Sequence, residues 1–499
     1  APPLAVELVS RGLRIEVPFF GQTGFKNSLV DTLTFRGGEK LSTEKLPGAN
    51  IVWSPRVGFN WNPLKSDKLQ IRGGTGSFSA RPPYVWISNQ IGNNGVLTSL
   101  ISATRANSLA PLLPYNFNPN PNAYKPLVVT GAPVAGAQDL NFTVPGYKFP
   151  QVWRSSIAAD YKIPFGIIAG AEFIYTKELN GTAYRNSNLA APDIKLVGAD
   201  TRPRWSTTAA RTVNTSVVQA ITLFNQSIGK AWNLAFTLEK RNSKGFYAKG
   251  GYAYGSSKNA VDAGSTAGTS FSNNTVVGDP NIPELGYSSA YMGHRVFAAA
   301  SYSFEYFKFG GTTISAFWES ANAGNGSFRT SNDLNNDGYS NDLIYIQRDP
   351  SETIFLTNGA FSPAQQSAAW EAYIAQDPYL SKHRGEYAVR NARLFPIKHN
   401  LDLSISQEIF ANFFKARHRF QIRADILNFG NLLNRNWGTG VTPAQNALTP
   451  LAFSSLDGTG RPQSTLNLAA GSQLPTTTFL PRSSLSDVYR IQLGFKYSF

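Results

Sequence analysis

With 499 residues, of which 15% are Asp, Glu, Lys or Arg and 13% are Phe, Trp or Tyr, the chain is charge-poor against the roughly 25% of a soluble domain, and one large all-β unit fits it better than a series of helix-bearing cores. The absence of cysteine excludes a disulfide framework, a thiolate nucleophile and a Cys-based zinc site. The formal charge of +15 comes from Lys and Arg scattered without a basic block, which argues against nucleic acid as a partner.

The opening Ala1-Pro2-Pro3-Leu4 has neither a basic n-region nor an apolar h-region, so it is not a secretion signal, and either a processed protein or a fragment is expected. No apolar run approaches the ~18 residues of a membrane helix; Ile167 to Tyr175 is short and broken by Glu172. A membrane crossing would therefore be made with strands.

In chain order, period-two alternation first appears where Val57, Phe59 and Trp61 oppose Arg56, Gly58 and Asn60. Trp153, Ser155, Ile157, Ala159 and Tyr161 then oppose Arg154, Ser156, Ala158 and Asp160, and Trp232, Leu234, Phe236 and Leu238 oppose Asn233, Ala235, Thr237 and Glu239. Leu401, Leu403 and Ile405 alternate with Asn400, Asp402 and Ser404, and Phe420, Ile422, Ala424 and Ile426 with Gln421, Arg423 and Asp425. The pattern is strictest from Asp487 to Phe499, where Tyr489, Ile491, Leu493, Phe495, Tyr497 and Phe499 face Arg490, Gln492, Gly494, Lys496 and Ser498. Strand geometry puts such sets on opposite faces, one for lipid and one for a watery or plugged lumen. A terminal aromatic after alternating hydrophobics is the form of signal by which outer-membrane barrels reach their insertion machinery, so Phe495, Tyr497 and Phe499 are the expected assembly residues.

Connections fall into two classes. Short turns are predicted at Asn62 to Asp67, Ile163 to Gly166, Asn242 to Gly245, Glu305 to Gly310 and Ala411 to Ala416. Long loops rich in Asn, Ser, Gly and Pro cover about 80–150, 179–230, 257–291, 320–396 and 430–486. Their alternation matches the periplasmic-turn, extracellular-loop asymmetry of outer-membrane barrels. Asn214 to Asn225 reads as a strand that would break this parity, and it is expected in a hairpin above the membrane. That leaves about 12 to 14 membrane strands, against 22 in plugged transporters, so part of a larger barrel is expected to be missing.

Two places in the loops carry ligand-type residues. Asp333, Asn335 and Asp337 alternate ahead of Gly338, with Asn341 and Asp342 following; oxygen ligands at positions one, three and five before a Gly resemble half a calcium loop. Ile344 stands where its bidentate Glu belongs, and an ordinary Asn/Asp/Gly turn is the other reading. Arg81, Tyr84 and Trp86 open a long loop, either as ligand or plug contacts or as interface-belt anchors. His294, His383, His399 and His418 are accompanied by no G-x-S-x-G elbow or H-E-x-x-H helix, so no catalytic set is assigned.

Several segments, in order, look familiar: Ser54-Pro55-Arg56-Val57-Gly58-Phe59-Asn60-Trp61; Ile71 to Gly76 leading to Arg81 to Gln90; Asp333 to Asp342; Arg384-Gly385-Glu386-Tyr387 with Arg390-Asn391; and Asp425 to Asn434. Together they resemble the Oar-like TonB-dependent receptors. The resemblance implies the C-terminal part of a 22-stranded transmembrane antiparallel outer-membrane β-barrel, with the plug domain and TonB box of such receptors not identified in residues 1–499. It implies lipid and the insertion machinery as partners, TonB acting through a plug, recognition of an extracellular substrate by the loops, and no enzymatic activity. A passive porin or adhesin, or an outer-membrane hydrolase, are the alternatives.

Overall fold

The computed structural model describes residues 6–64, 66, 68–97, 118–120, 138–241, 244–307, 309–413 and 416–499. Twelve long strands follow one another in a single antiparallel wall: β1 (Val6–Glu16), β2 (Val52–Trp61), β3 (Leu69–Ser79), β4 (Gln151–Ile163), β5 (Ile167–Glu178), β6 (Lys230–Arg241), β7 (Phe246–Asn259), β8 (His294–Tyr306), β9 (Gly310–Asn322), β10 (Ile397–Phe413), β11 (Ala416–Leu427) and β12 (Arg490–Ser498). That number agrees with the sequence reading. A two-residue strand, Gly286–Tyr287, flanks β7.

Register explains why the apolar face is continuous. Directly paired residues share a face, and Ile157 lies opposite Phe173, Phe173 opposite Leu234, and Leu234 opposite Tyr254. At the far end, Ile422 meets Phe495, Ala424 meets Leu493 and Ile426 meets Ile491. Each alternating strand thus extends the same lipid-facing surface by one row, at about 0.2–1 kcal/mol per good cross-strand pair. Gly73 has a specific place in this surface: it pairs with Phe59, whose ring covers it, and a Cβ there would lie 2.7 Å from the ring. The opposite face is polar. It carries the Arg72–Asp160, Arg295–Glu319 and Arg419–Glu408 ion pairs and a Ser303–Thr313 hydroxyl contact of 2.8 Å. Among the described residues β1 pairs only with β2 and β12 only with β11, so the wall is an open path with two edges.

The five short turns all lie at one end and six long connections at the other. Five of the six were expected; the connection 17–51 was not. Hydrophobic residues spaced far apart in sequence fold these connections together above the wall. The middle of the 80–150 connection lies outside the described residues. The segment read as a hairpin strand is Val217–Gln226, and it stands outside the wall as anticipated. It pairs antiparallel with Gly181–Asn186 and parallel with Gln138–Thr143, from a different connection.

Candidate functional site

The long connections form a cap with hydrophobic cores of its own. In the largest, Phe328, Leu343, Ile344 and Ile346 pack with Trp370, Tyr373 and Ile374 and with Leu451 and Leu466. Trp370, Tyr373 and Ile374 lie on one side of the helix Pro363–Gln376, spaced three and four residues apart as one helical face requires. A capping box starts this helix: Ser362 and Gln365 satisfy each other's backbone N–H groups, and Pro363 takes the first helical position. A second core joins Ile87, Tyr147, Tyr184, Ile221, Leu223 and Phe271. A third holds Val30, Phe35, Leu140 and Phe142.

Polar clasps stitch the connections to one another. Arg202, with its side chain fully buried, donates through Nε to Asp200 at 2.9 Å, through Nη2 to the Leu343 carbonyl at 2.8 Å and through Nη1 to Asp342 at 3.4 Å. Arg390 donates to the side chains of Asn274 at 2.6 Å and Asn259 at 2.7 Å. Asp377 accepts from Arg393 Nε and the Thr478 hydroxyl, both at 2.8 Å. Where the last connection meets the wall, Asp487 accepts from Arg482, from Lys398 at 3.0 Å and from the Gly440 N–H at 2.9 Å. Arg482, then Ser484, Lys398 and the Gly440 amide, hold the Asp487 carboxyl well below the usual carboxylate range against the opposing effect of burial.

The candidate calcium residues do come together; Asn335, Asp337, Asn341 and Asp342 are buried and Asp333 is half-buried. Asp333 Oδ1 and Asn335 Oδ1 accept the Asp337 N–H at 3.1 and 2.9 Å, Asp333 Oδ2 accepts the Gly338 N–H at 2.7 Å, and Asp337 Oδ1 accepts the Tyr339 N–H at 2.7 Å. Asp342 Oδ2 accepts the Leu334 N–H at 2.7 Å. Asn341 points its amide at the Asn274 carbonyl, 3.0 Å away in another connection. Gly338 is required by its φ of 102° and by the Arg211 guanidinium, 3.2 Å from where a Cβ would sit. Among the described residues no group of three or more His, Cys, Asp or Glu side chains is arranged to hold a metal ion. Most oxygens of the set accept N–H groups of the same turn, while Asn341 Oδ1 is buried without a hydrogen-bond partner. Burial, then Asp342 and Asp333, push the Asp337 carboxyl up to about 8.

Arg81 and Tyr84 are exposed, whereas the Trp86 indole donates to the Gly264 carbonyl at 2.7 Å and packs on the second core. Of this trio, Trp86 is thus a cap residue, and Tyr84 meets the Phe20 ring edge-on at 6.5 Å. Phe495, Tyr497 and Phe499 are all exposed on β12 and the chain end. The histidines lie on aromatic rings: His294 on Tyr254 at 4.3 Å, His399 on Trp318 at 6.2 Å, His418 on Tyr497 at 5.9 Å and His383 on Tyr379 at 4.5 Å.

Sequence reasoning missed the capping helix and the Arg202 and Arg390 clasps. The helix had a legible signal in Ser362-Pro363 followed by Gln365. Beneath the cap, the polar face of the wall opens a cavity of about 510 Å³ lined by Arg154, Thr176, Asn233, Tyr291 and Arg295, which offers two guanidinium groups and several hydrogen-bonding side chains to a solute.

A family model for the outer membrane beta barrel domain matches residues 22–459. The chain belongs to that family. It resides in the outer membrane of a Gram-negative bacterium, with the apolar face of the barrel wall in lipid. No curated protein matches the chain. Among solved structures, the barrel is similar to the outer membrane transporter YddB of Escherichia coli, at 11% identity and a TM-score of 0.37, over 84% of this chain and 39% of that protein. It is also similar to the FrpB iron transporter of Neisseria meningitidis, at 11% identity and a TM-score of 0.33, over 79% and 36%. A ferric enterobactin receptor of Pseudomonas aeruginosa matches at 7% identity and a TM-score of 0.36, over 92% and 40%. The chain therefore spans about two fifths of the length of these proteins.

Proposed function

We propose that this barrel is the wall and recognition cap of a TonB-dependent transporter, in which the cap selects an extracellular substrate and the polar wall lines its energy-coupled passage. The observation that carries the reading is the fusion of long connections from along the whole chain into one cored cap at a single end, held by buried clasps such as Arg202 with Asp200 and Asp342. A passive pore gains nothing from such a lid. A selective receptor gains a rigid surface, because ordering the loops beforehand lowers the entropic cost of binding. Coupling to TonB is supported by the ordered motifs that resemble Oar-like receptors. The barrel contributes binding and passage without covalent chemistry.

The test compares isogenic cells with and without TonB, each with and without this protein, for depletion of solutes from a complex medium. Depletion that needs both proteins is expected. Depletion that persists without TonB would make the barrel a passive porin.

A further inference from the structure

Three lysines stand side by side on the lipid-facing side of the wall, at its cap end. Lys177 of β5 lies directly opposite Lys230 of β6, which lies directly opposite Lys258 of β7. Their face is fixed by period two: Lys177 follows Tyr175 and Phe173, Lys230 precedes Trp232 and Leu234, and Lys258 follows Tyr254 and Tyr252 on alternate positions. Like charges directly opposite one another on adjacent strands destabilise a sheet unless something neutralises them. Among the described residues none of the three forms an ion pair; the adjacent Glu178 belongs to the other face and accepts from the Gln226 amide at 2.5 Å.

The row's surroundings place it at a definite depth. Trp153 flanks it beside Lys177, and the Tyr287 ring flanks it at the other end, 4.4 Å from the Lys258 ammonium. One step towards mid-membrane, Tyr175 pairs with Trp232, and one further step on, Tyr254 pairs with His294. Aromatic rows of this kind mark the headgroup level of a bilayer. The corresponding cap-end positions of other strands carry neutral residues, Ser79 on β3 and the paired Asn322 and Ile397 on β9 and β10. The charge is therefore local to β5, β6 and β7, where strand spacing sets three ammonium groups across about 10 Å.

We propose that Lys177, Lys230 and Lys258 form a binding site for the phosphorylated headgroup of an outer-leaflet glycolipid, clamped between Trp153 and Tyr287. The aromatic rows seat the lipid at headgroup depth, and the lysine row neutralises more than one phosphate at once. The site holds the barrel at a fixed height against the leaflet beneath the cap.

The full-length protein, purified in a zwitterionic detergent and stripped of native lipid, should bind bisphosphorylated lipid A, and the Lys177→Gln/Lys230→Gln/Lys258→Gln variant should bind it about a hundredfold more weakly, each lysine near the surface accounting for about fivefold. The Lys→Arg triple should retain binding, and Lys240→Gln, at the other end of β6, should leave it unchanged. Heat-modifiable migration checks that each variant is folded; if the triple variant does not insert, Lys230→Gln alone should still weaken binding by about fivefold. Lipid A affinity within twofold of wild type in the folded Gln variants overturns the proposal. So does displacement of lipid A by an equal concentration of inorganic phosphate, which would make the row a site for the free anion.

Discussion

On the wall, Ile491, Leu493 and Phe495 leave more than half of their surface uncovered, whereas in the cap Trp370, Tyr373 and Ile374 are closed off completely. The same residue types serve two solvents. A strand in lipid is stable with its hydrophobic side chains outward, and its backbone must be satisfied by neighbouring strands. A connection in water must bury its hydrophobic side chains, and here it does so against itself and against other connections, as when Leu451 and Leu466 close over Trp370 and Ile374. The difference shows that the two regions are held by separate means: strand pairing holds the wall, and long-range packing holds the cap.

The largest way to break this comparison is to remove a cap anchor without touching the wall. Trp370→Ala should destabilise the cap by about 3–5 kcal/mol, making residues 323–396 open to protease while the wall still inserts and migrates as a folded barrel. If insertion fails along with the cap, the two regions are one cooperative unit. The converse substitution acts on the wall. Phe495→Lys or Tyr497→Lys places a charge on the lipid face at a cost that falls from about 2–4 kcal/mol at mid-membrane to about 0–1 kcal/mol at the interface, so the effect should be smaller for Tyr497, nearer the short-turn end, and deletion of Phe499 removes the terminal aromatic. All three should lower the outer-membrane yield, whereas Lys496→Gln, on the polar face opposite Gln421, should not. Equal yields would mean that the faces are assigned wrongly.

These two regions were not equally legible. Period two is a local property, so the alternation of Trp232 with Asn233 or Phe420 with Gln421 revealed the wall strand by strand, and the turn lengths revealed its two ends. Burial in the cap depends on residues that only the fold brings together: Asp342 meets Arg202 across 140 positions, and Leu466 joins Trp370 in one core. Asn, Ser and Gly-rich composition concealed those contacts because it describes the turns and not the hydrophobic residues between them. The acidic spacing at Asp333 left a calcium loop and an ordinary turn both open. What the spacing did not disclose is that N–H groups of the same turn occupy most of the Asp333, Asn335, Asp337 and Asp342 oxygens.

The junction between cap and wall gives a smaller, pH-dependent effect. The folded pKa of Asp487 lies below the unfolded value near 4, so its clasp with Arg482 and Lys398 adds stability above that value and loses it as pH falls below about 4. Asp487→Asn should cost about 1.5–3 kcal/mol at neutral pH and flatten the acid limb, as read by hydrogen exchange at Gly440 and at residues 482–487. An acid limb unchanged in the variant would assign it to other carboxylates.

The smallest effect separates the two readings of the Asp333 turn. If calcium were its organiser, added calcium would raise the cap's resistance to unfolding and chelation would lower it, and Asp337→Ala would abolish both responses. If the turn satisfies itself, as the Asp337, Gly338 and Tyr339 N–H groups on Asp333, Asn335 and Asp337 indicate, calcium should leave unfolding unchanged. Asp337→Ala should then cost about 1–3 kcal/mol, because it strips the Tyr339 N–H of its buried acceptor, with or without the ion. Asp337→Asn discriminates further, since an amide oxygen still accepts that N–H but supplies no charge to a cation. Isothermal titration of the three proteins with calcium, alongside their unfolding curves, decides the matter. The self-satisfied turn predicts no binding heat in any of them and near-wild-type stability for Asp337→Asn alone, whereas heat in the wild type that both substitutions remove would restore calcium to the turn.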